Sequence, residues 1–165
     1  MPRFDNRGYL ERTFEPGEFA AIGWEGQIQQ INHTKTLISG AIRGMHYQLS
    51  PWTEWKCVSC IVGKIFDVVV DIRNNSPTFL KWYGVELSPE SFCSLIIPPG
   101  FAHGYQCLTH NVEMIYFHSQ PFIEKAGAGL NPFDPILSIN WPNNCSQISE
   151  GDSKSPLINQ NFLGV

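Results

Sequence analysis

Between Ser39 and Asp71 the chain gathers an arginine, a histidine, a glutamine, a lysine and an aspartate: Arg43, His46, Gln48, Lys56 and Asp67. These types can hold an anion, take a proton, and steady the charge that proton removal creates. They fall on runs that read as consecutive β-strands. Ala41–Leu49 alternates so that His46 and Gln48 share a face, and Gly44 can supply a bulge that re-aims Arg43 toward that face. Ile65–Ile72 (IFDVVVDI) is rich in β-branched residues and sets Asp67 and Asp71 on one side. Burying a histidine, an amide and an ammonium group costs free energy unless each finds a partner. The stretch therefore marks a candidate polar pocket inside an otherwise apolar sheet.

Short β-like runs separated by turn residues must position these groups. The runs are Gln27–Asn32, Ala41–Leu49, Lys56–Val62, Lys64–Ile72, Trp82–Leu87, Ser91–Ile97, Ala102–Cys107 and Val112–Phe117. Breakers such as Ser50-Pro51, Gly63, Asn74-Asn75-Ser76-Pro77, Ser88-Pro89-Glu90 and Pro98-Pro99-Gly100 divide them. With hardly any amphipathic helix, this argues for an all-β antiparallel sandwich or barrel with a few short helical turns. Met1–Phe14 reads as extended. Pro16–Ile22 reads as one or two helical turns that Gly23 ends. Leu130–Pro142 reads as an ordered loop, and the tail from Ser149 as one helical turn followed by irregular chain.

The whole chain bounds the answer further. Its 165 residues suit a single domain, with an N-terminal arm over about 1–26 and a C-terminal segment over about 143–165. The net charge of −4 gives no general reason to bind nucleic acid or an acidic membrane. No apolar run approaches the roughly 20 residues of a membrane span, and the start lacks the apolar core of a signal peptide. Cytoplasmic is the resulting expectation. Five cysteines fit a reducing compartment. Cys57 and Cys60 form a CxxC, but on a strand positions three apart point to opposite faces, so the thiols would not converge on one ion.

Several blocks, taken in order and spacing, are more specific: IRGMHYQ, the lysine ten residues after its histidine, GKIFDVVVDIRNNSPTF, WYGVELSPE, IPPGFAHGY, EMIY and FDPILSINWP. In register over roughly Asp5 to Leu157, they resemble the dTDP-4-dehydrorhamnose 3,5-epimerase family of nucleotide-sugar enzymes. The resemblance implies a cupin-type jelly roll, a homodimer, and epimerisation of a nucleoside-diphosphate 4-keto-6-deoxy sugar in deoxysugar biosynthesis, with neither metal nor coenzyme. It further implies His46 as the base, Asp152 as its carboxylate partner, Lys56 as the support of the enolate oxygen and Tyr116 as the acid on the other face. It implies Arg43 on the diphosphate, His103 on the sugar, and Asp67 as a buried partner of Lys56 or His103. Arg7, Gln30 and Gln48 stand at ligand-contacting positions, Arg7 in a segment that reaches across the dimer. A 4-keto group acidifies the hydrogens on C3 and C5, and inversion there needs this set: a base, a stabiliser for the oxyanion and an opposed acid. His33 reads as structural, and His110 and His118 receive no role.

Three positions depart from the family pattern. Arg12 stands where the family has a nucleotide-contacting glutamate, Gly127 replaces a second glutamate, and Gly151 replaces a basic residue before Asp152. The expectation is retained proton chemistry with altered recognition, such as a CDP- or GDP-linked sugar or a heptose, or epimerisation at one carbon alone. Two other classes compete. A metal-dependent cupin needs a second histidine where Gln48 stands, and Lys56 would repel the metal. A non-catalytic sugar-binding cupin would have little use for the base, acid and lysine together.

Overall fold

The computed structural model describes residues 2–165. A small hairpin, β1 (Arg3–Asp5) and β2 (Gly8–Leu10), is followed by α1 (Pro16–Ala21), which Glu15 caps through the Glu18 N–H. The body comprises β3 (Gln30–Thr36), β4 (Ala41–Gln48), β5 (Lys56–Val62), β6 (Ile65–Asp71), β7 (Trp82–Leu87), β8 (Leu95–Ile97), β9 (Phe101–Cys107) and β10 (Val112–His118). Short β11 (Gly127–Gly129), β12 (Gln147–Ile148) and α2 (Glu150–Ser153) complete it. One sheet has the order β3-β10-β5-β8. The other runs β11-β4-β9-β6-β7, with β12 pairing β4 in parallel. Consecutive strands cross repeatedly from sheet to sheet, the wiring of a jelly roll. No described helix is long and apolar enough to cross a membrane.

Three apolar clusters explain why the strand sequences are so continuously hydrophobic. Between the sheets, Val58, Cys60 and Met114 meet Ile65, Val69, Leu87 and Cys107. Behind the larger sheet, Met45, Val68, Val70 and Ala102 are covered by Leu130, Leu137 and Ile158, so the Leu130–Pro142 loop works as a lid on the core. Behind the smaller sheet, Cys57 and Phe117 are covered by Phe19 and Trp24 from the N-terminal arm. Cys57 and Cys60 thus enter different clusters, as a period of two requires. Each sheet is buried on both faces over its centre, which is why IFDVVVD lacks polar alternation.

Two strands differ from the sequence reading by more than one residue at an end. The strand expected over Gln27–Asn32 instead spans Gln30–Thr36 and pairs with β10 from Gln30↔His118 to Thr36↔Val112. His33 and Lys35 point outward there, both onto Glu113, and that polar face hid the strand. The run Ser91–Ile97 is strand only over Leu95–Ile97, because a tight turn ends with Phe92 in the left-handed region at φ 47°. The helix at Pro16 and the single turn after Ser149 form as the sequence indicates.

Candidate functional site

The bulge in β4 sets the site's geometry. Arg43 pairs with Tyr105 and His46 with His103, so three steps on β4 match two on β9. One extra residue reverses the alternation, and Arg43 joins His46 and Gln48 on the inner face. Gly44 makes this possible. Its φ is +124°, and a Cβ there would sit 2.5 Å from the Cα of Gly104. The inner face opens on a cavity of about 880 Å³, large enough for a nucleotide-sized ligand. The larger sheet contributes Arg43, His46 and His103, and the smaller sheet contributes Lys56, Tyr116 and His118.

Several ionisable side chains in the cavity wall have definite partners. His46 Nε2 lies 2.7 Å from Asp152 Oδ1. Asp152 Oδ2 accepts the Gly44 N–H at 3.2 Å, so the bulge that orients His46 also anchors its carboxylate. Asp152 itself is fixed by α2, where Ser149 caps its N–H at 3.0 Å. Burial pushes the Asp152 carboxyl up, but the His46 hydrogen bond and charge and the Gly44 N–H outweigh it and hold it below the usual range. An ionised carboxylate can only accept, so His46 donates from Nε2, and the neutral ring in that tautomer has its lone pair at Nδ1. The His46 side chain is half exposed (54%), as a group that must meet a ligand should be.

Opposite stands the phenol. Tyr116 is buried, and its ring lies 6.3 Å from that of His103, the cross-strand neighbour of His46. Burial first, then the nearby Tyr105 and Asp67, push its hydroxyl well above the ordinary tyrosine range, so it stays protonated and able to donate. His103 Nε2 bonds Asp67 Oδ1 at 2.5 Å, which resolves the two partners considered for Asp67 in favour of His103. Lys56 pairs instead with Glu54, at 3.2 Å between Nζ and Oε1. Arg43 Nε donates to Thr36 Oγ1 at 3.0 Å, and that hydroxyl also meets the Tyr105 hydroxyl at 3.3 Å, so Arg43 is oriented by two residues the sequence reading did not single out.

Two further groups were missed. Glu54 sits in the loop before β5 with no motif around it. His118 was given no role, yet its Nδ1 is 2.8 Å from Glu54 Oε2 and its ring stacks on Tyr116 at 6.0 Å. The signal was available for His118: positions 116 and 118 share a face of a strand. Other expectations need adjustment. Gln48 faces the cavity, but its amide is committed to Trp52 O, Pro121 O and the Ile123 N–H. Gln30 likewise accepts the Phe122 N–H and donates to Asn32. Arg7 and Arg12 are exposed and lie outside the cavity of their own chain, Arg7 paired with Asp5 on the hairpin. Among the described residues, no three His, Cys, Asp or Glu side chains are grouped to hold a metal ion.

A sequence profile described as dTDP-4-dehydrorhamnose 3,5-epimerase matches residues 2–160. The chain belongs to this family. A family member of that name from Shigella flexneri is 40% identical over 149 residues, which cover 90% of this chain and 82% of that one. A solved dTDP-6-deoxy-D-glucose-3,5-epimerase from Legionella pneumophila, in complex with dTDP-4-keto-L-rhamnose, superposes with a TM-score of 0.92 at 34% identity, over 99% of this chain and 89% of that one. The 3'-monoepimerase ChmJ of Streptomyces bikiniensis, in complex with dTDP-quinovose, superposes at 0.88 with 30% identity, over 95% and 80%. The dTDP-4-dehydrorhamnose 3,5-epimerase family therefore has neighbours of this fold that act at one carbon as well as at two.

Proposed function

We propose that this chain epimerises a nucleoside-diphosphate 4-keto-6-deoxy sugar at C3, C5 or both, by proton removal from one face and proton return to the other. The observation that carries the reading is the pairing of a carboxylate-backed imidazole on one sheet with a protonated phenol on the facing sheet, across one cavity that also holds an ammonium group. His46 Nδ1 takes the hydrogen made acidic by the neighbouring ketone, and Asp152 stabilises the imidazolium that forms. The Lys56 ammonium meets the enolate oxygen. Tyr116 then protonates the carbon from the opposite side, and solvent exchange resets both groups. Arg43 suits the diphosphate, since a guanidinium fork matches phosphate oxygens. His103, steadied by Asp67, hydrogen-bonds the sugar.

Recognition differs from the family pattern on two sides of the cavity. Gly127 and Gly151 both line it, and a Cβ on either would have room. The missing glutamate and basic side chain thus leave space and remove charge where the ligand lies. We infer a substrate whose nucleotide or sugar differs from the dTDP-hexose, with CDP- and GDP-linked sugars as the first candidates. Arg7 and Arg12, remote from their own cavity, serve the cavity of a second copy in a homodimer. The exposed Phe4 and Tyr9 rings, packed with Phe92 at 5.2–5.7 Å, form the apolar part of that arm. Five free thiols support a cytoplasmic setting.

The test is incubation in D2O with dTDP-, CDP- and GDP-linked 4-keto-6-deoxy sugars, reading deuterium at C3 and C5 separately. Exchange at either carbon with inversion supports the epimerase. No exchange with any of them removes it, and full activity on the dTDP compound removes the altered-recognition reading alone.

A further inference from the structure

The Lys56–Glu54–His118 cluster is a second ionisable set in the cavity wall, and the chemistry above uses only its lysine. All three side chains are close to buried, at 11%, 8% and 11% exposed. Glu54 is shared: Oε1 lies 3.2 Å from Lys56 Nζ and Oε2 lies 2.8 Å from His118 Nδ1. Burial pushes the Glu54 carboxyl up, while the His118 hydrogen bond and the Lys56 charge bring it below the usual range, so it is ionised.

Which proton His118 carries follows from a one-way chain of donors. The Phe122 backbone N–H can only donate, and it donates to Gln30 Oε1 at 2.9 Å. That fixes the Gln30 amide, whose NH2 then donates to Asn32 Oδ1 at 3.1 Å. The Asn32 NH2 is in turn left facing His118 Nε2 at 3.4 Å, which must accept. His118 therefore carries a proton on Nδ1 and donates it to Glu54. One oxygen of Glu54 is capped by the imidazole N–H and the other faces the ammonium.

We propose that Glu54 and His118 are positioning residues for Lys56: His118 occupies one carboxylate oxygen so that Glu54 engages Lys56 through the other alone, leaving the ammonium turned to the cavity. Without the cap, both oxygens would compete for Nζ and draw it back toward the wall. Other charged or titratable groups lining the same cavity include Arg43 and His46 on β4, His103 on β9 with Asp67 behind it, Glu124, Asp152, and Tyr116 beside His118 on β10. This assignment rests on the enolate-holding role of Lys56 proposed above.

Two measurements test it. Long-range 1H–15N spectra of the histidine-labelled protein at neutral pH should give the His118 ring, assigned by its loss in His118→Phe, the Nδ1–H pattern. An Nε2–H or doubly protonated pattern overturns the proposal, and this readout needs no variant of Glu54 to fold. In kinetics, Glu54→Gln and His118→Phe should lower kcat roughly 10–100-fold, less than the 10²–10³-fold typical of deleting an oxyanion donor, with KM within about threefold. An unchanged kcat, or a loss confined to KM, overturns it. Lys56→Met separates the layers. If Lys56→Met is inactive while Glu54→Gln is unaffected, only the positioning role fails. If Lys56→Met retains the wild-type rate, the enolate-holding role fails first.

Discussion

Replacing Asp152 by asparagine should be more harmful than deleting the side chain, because the Gly44 N–H dictates which way the amide faces. In the wild type both carboxylate oxygens accept, one from His46 Nε2–H and the other from the Gly44 N–H. An asparagine has one oxygen. Turning it to His46 would set its NH2 against the Gly44 N–H and leave that buried donor unpaired, at a cost of about 1–3 kcal/mol. The favoured orientation gives the oxygen to Gly44 and the NH2 to His46 Nε2. That nitrogen must then accept, and the imidazole proton moves to Nδ1, the atom that should take the proton from substrate. At about 1.4 kcal/mol per factor of ten, the tautomer penalty alone is roughly 5–150-fold. Losing the charge behind the imidazolium adds about 1.5–3 kcal/mol, a further 10–150-fold. Asp152→Asn should therefore lower the rate roughly 10²–10⁴-fold. Asp152→Ala frees the imidazole to choose its tautomer and should lose only the second factor. The assay is deuterium incorporation from D2O under saturating substrate, with circular dichroism confirming the fold. An asparagine variant as active as the alanine variant, or more so, refutes the tautomer argument.

Other perturbations follow from the same contacts. Gly44→Ala places a methyl 2.5 Å from the Gly104 Cα at a φ of +124°. It should cost at least about 2 kcal/mol, measured by denaturant unfolding, and a wild-type midpoint would mean that the bulge tolerates a side chain. Asp71 accepts from the Arg73 side chain, Ser76 and Thr78, and the Arg73 hydrogen bonds hold its carboxyl far below the usual range. A depressed carboxyl stabilises the fold above its unfolded value of about 4, and that contribution drains as pH falls toward the folded value. Asp71→Asn should therefore lower Tm by about 3–8 °C at pH 7, with the gap to wild type closing in acid scans; a gap that does not narrow below pH 4 contradicts the linkage. Arg43→Lys keeps the charge but gives up the fork held by Thr36, so it should raise KM for the nucleotide sugar about tenfold and leave kcat little changed. A fall in kcat alone would move Arg43 from diphosphate binding to the chemistry.

Much of this architecture was legible in the chain because its signals are local. Proline and glycine breakers bounded most strands, and a period of two separated Cys57 from Cys60. Gly44, one residue after an arginine on the wrong face, announced the bulge that turns Arg43 inward. The His46–Asp152 pair spans 106 positions and was reachable only through the family resemblance, since nothing near Ser149–Ser153 signals a catalytic carboxylate. Glu54 was invisible for the opposite reason. It belongs to a loop, and its partners are chosen by the cross-strand register that sets His118 opposite Lys56. The end of β3 was misjudged because the outer face beyond Asn32 carries His33 and Lys35, a polar pattern that only the pairing with β10 accounts for.

The most direct measurement of the central claim, that base and acid work on one carbon from opposite faces, is solvent exchange by Tyr116→Phe. In D2O this variant should still wash deuterium into the substrate beside the ketone, because His46 removes the proton, exchanges it and returns it to the same face. Inverted product should fall by about 10²–10⁴-fold. Inversion at the wild-type rate, with deuterium arriving on the new face, would contradict the account.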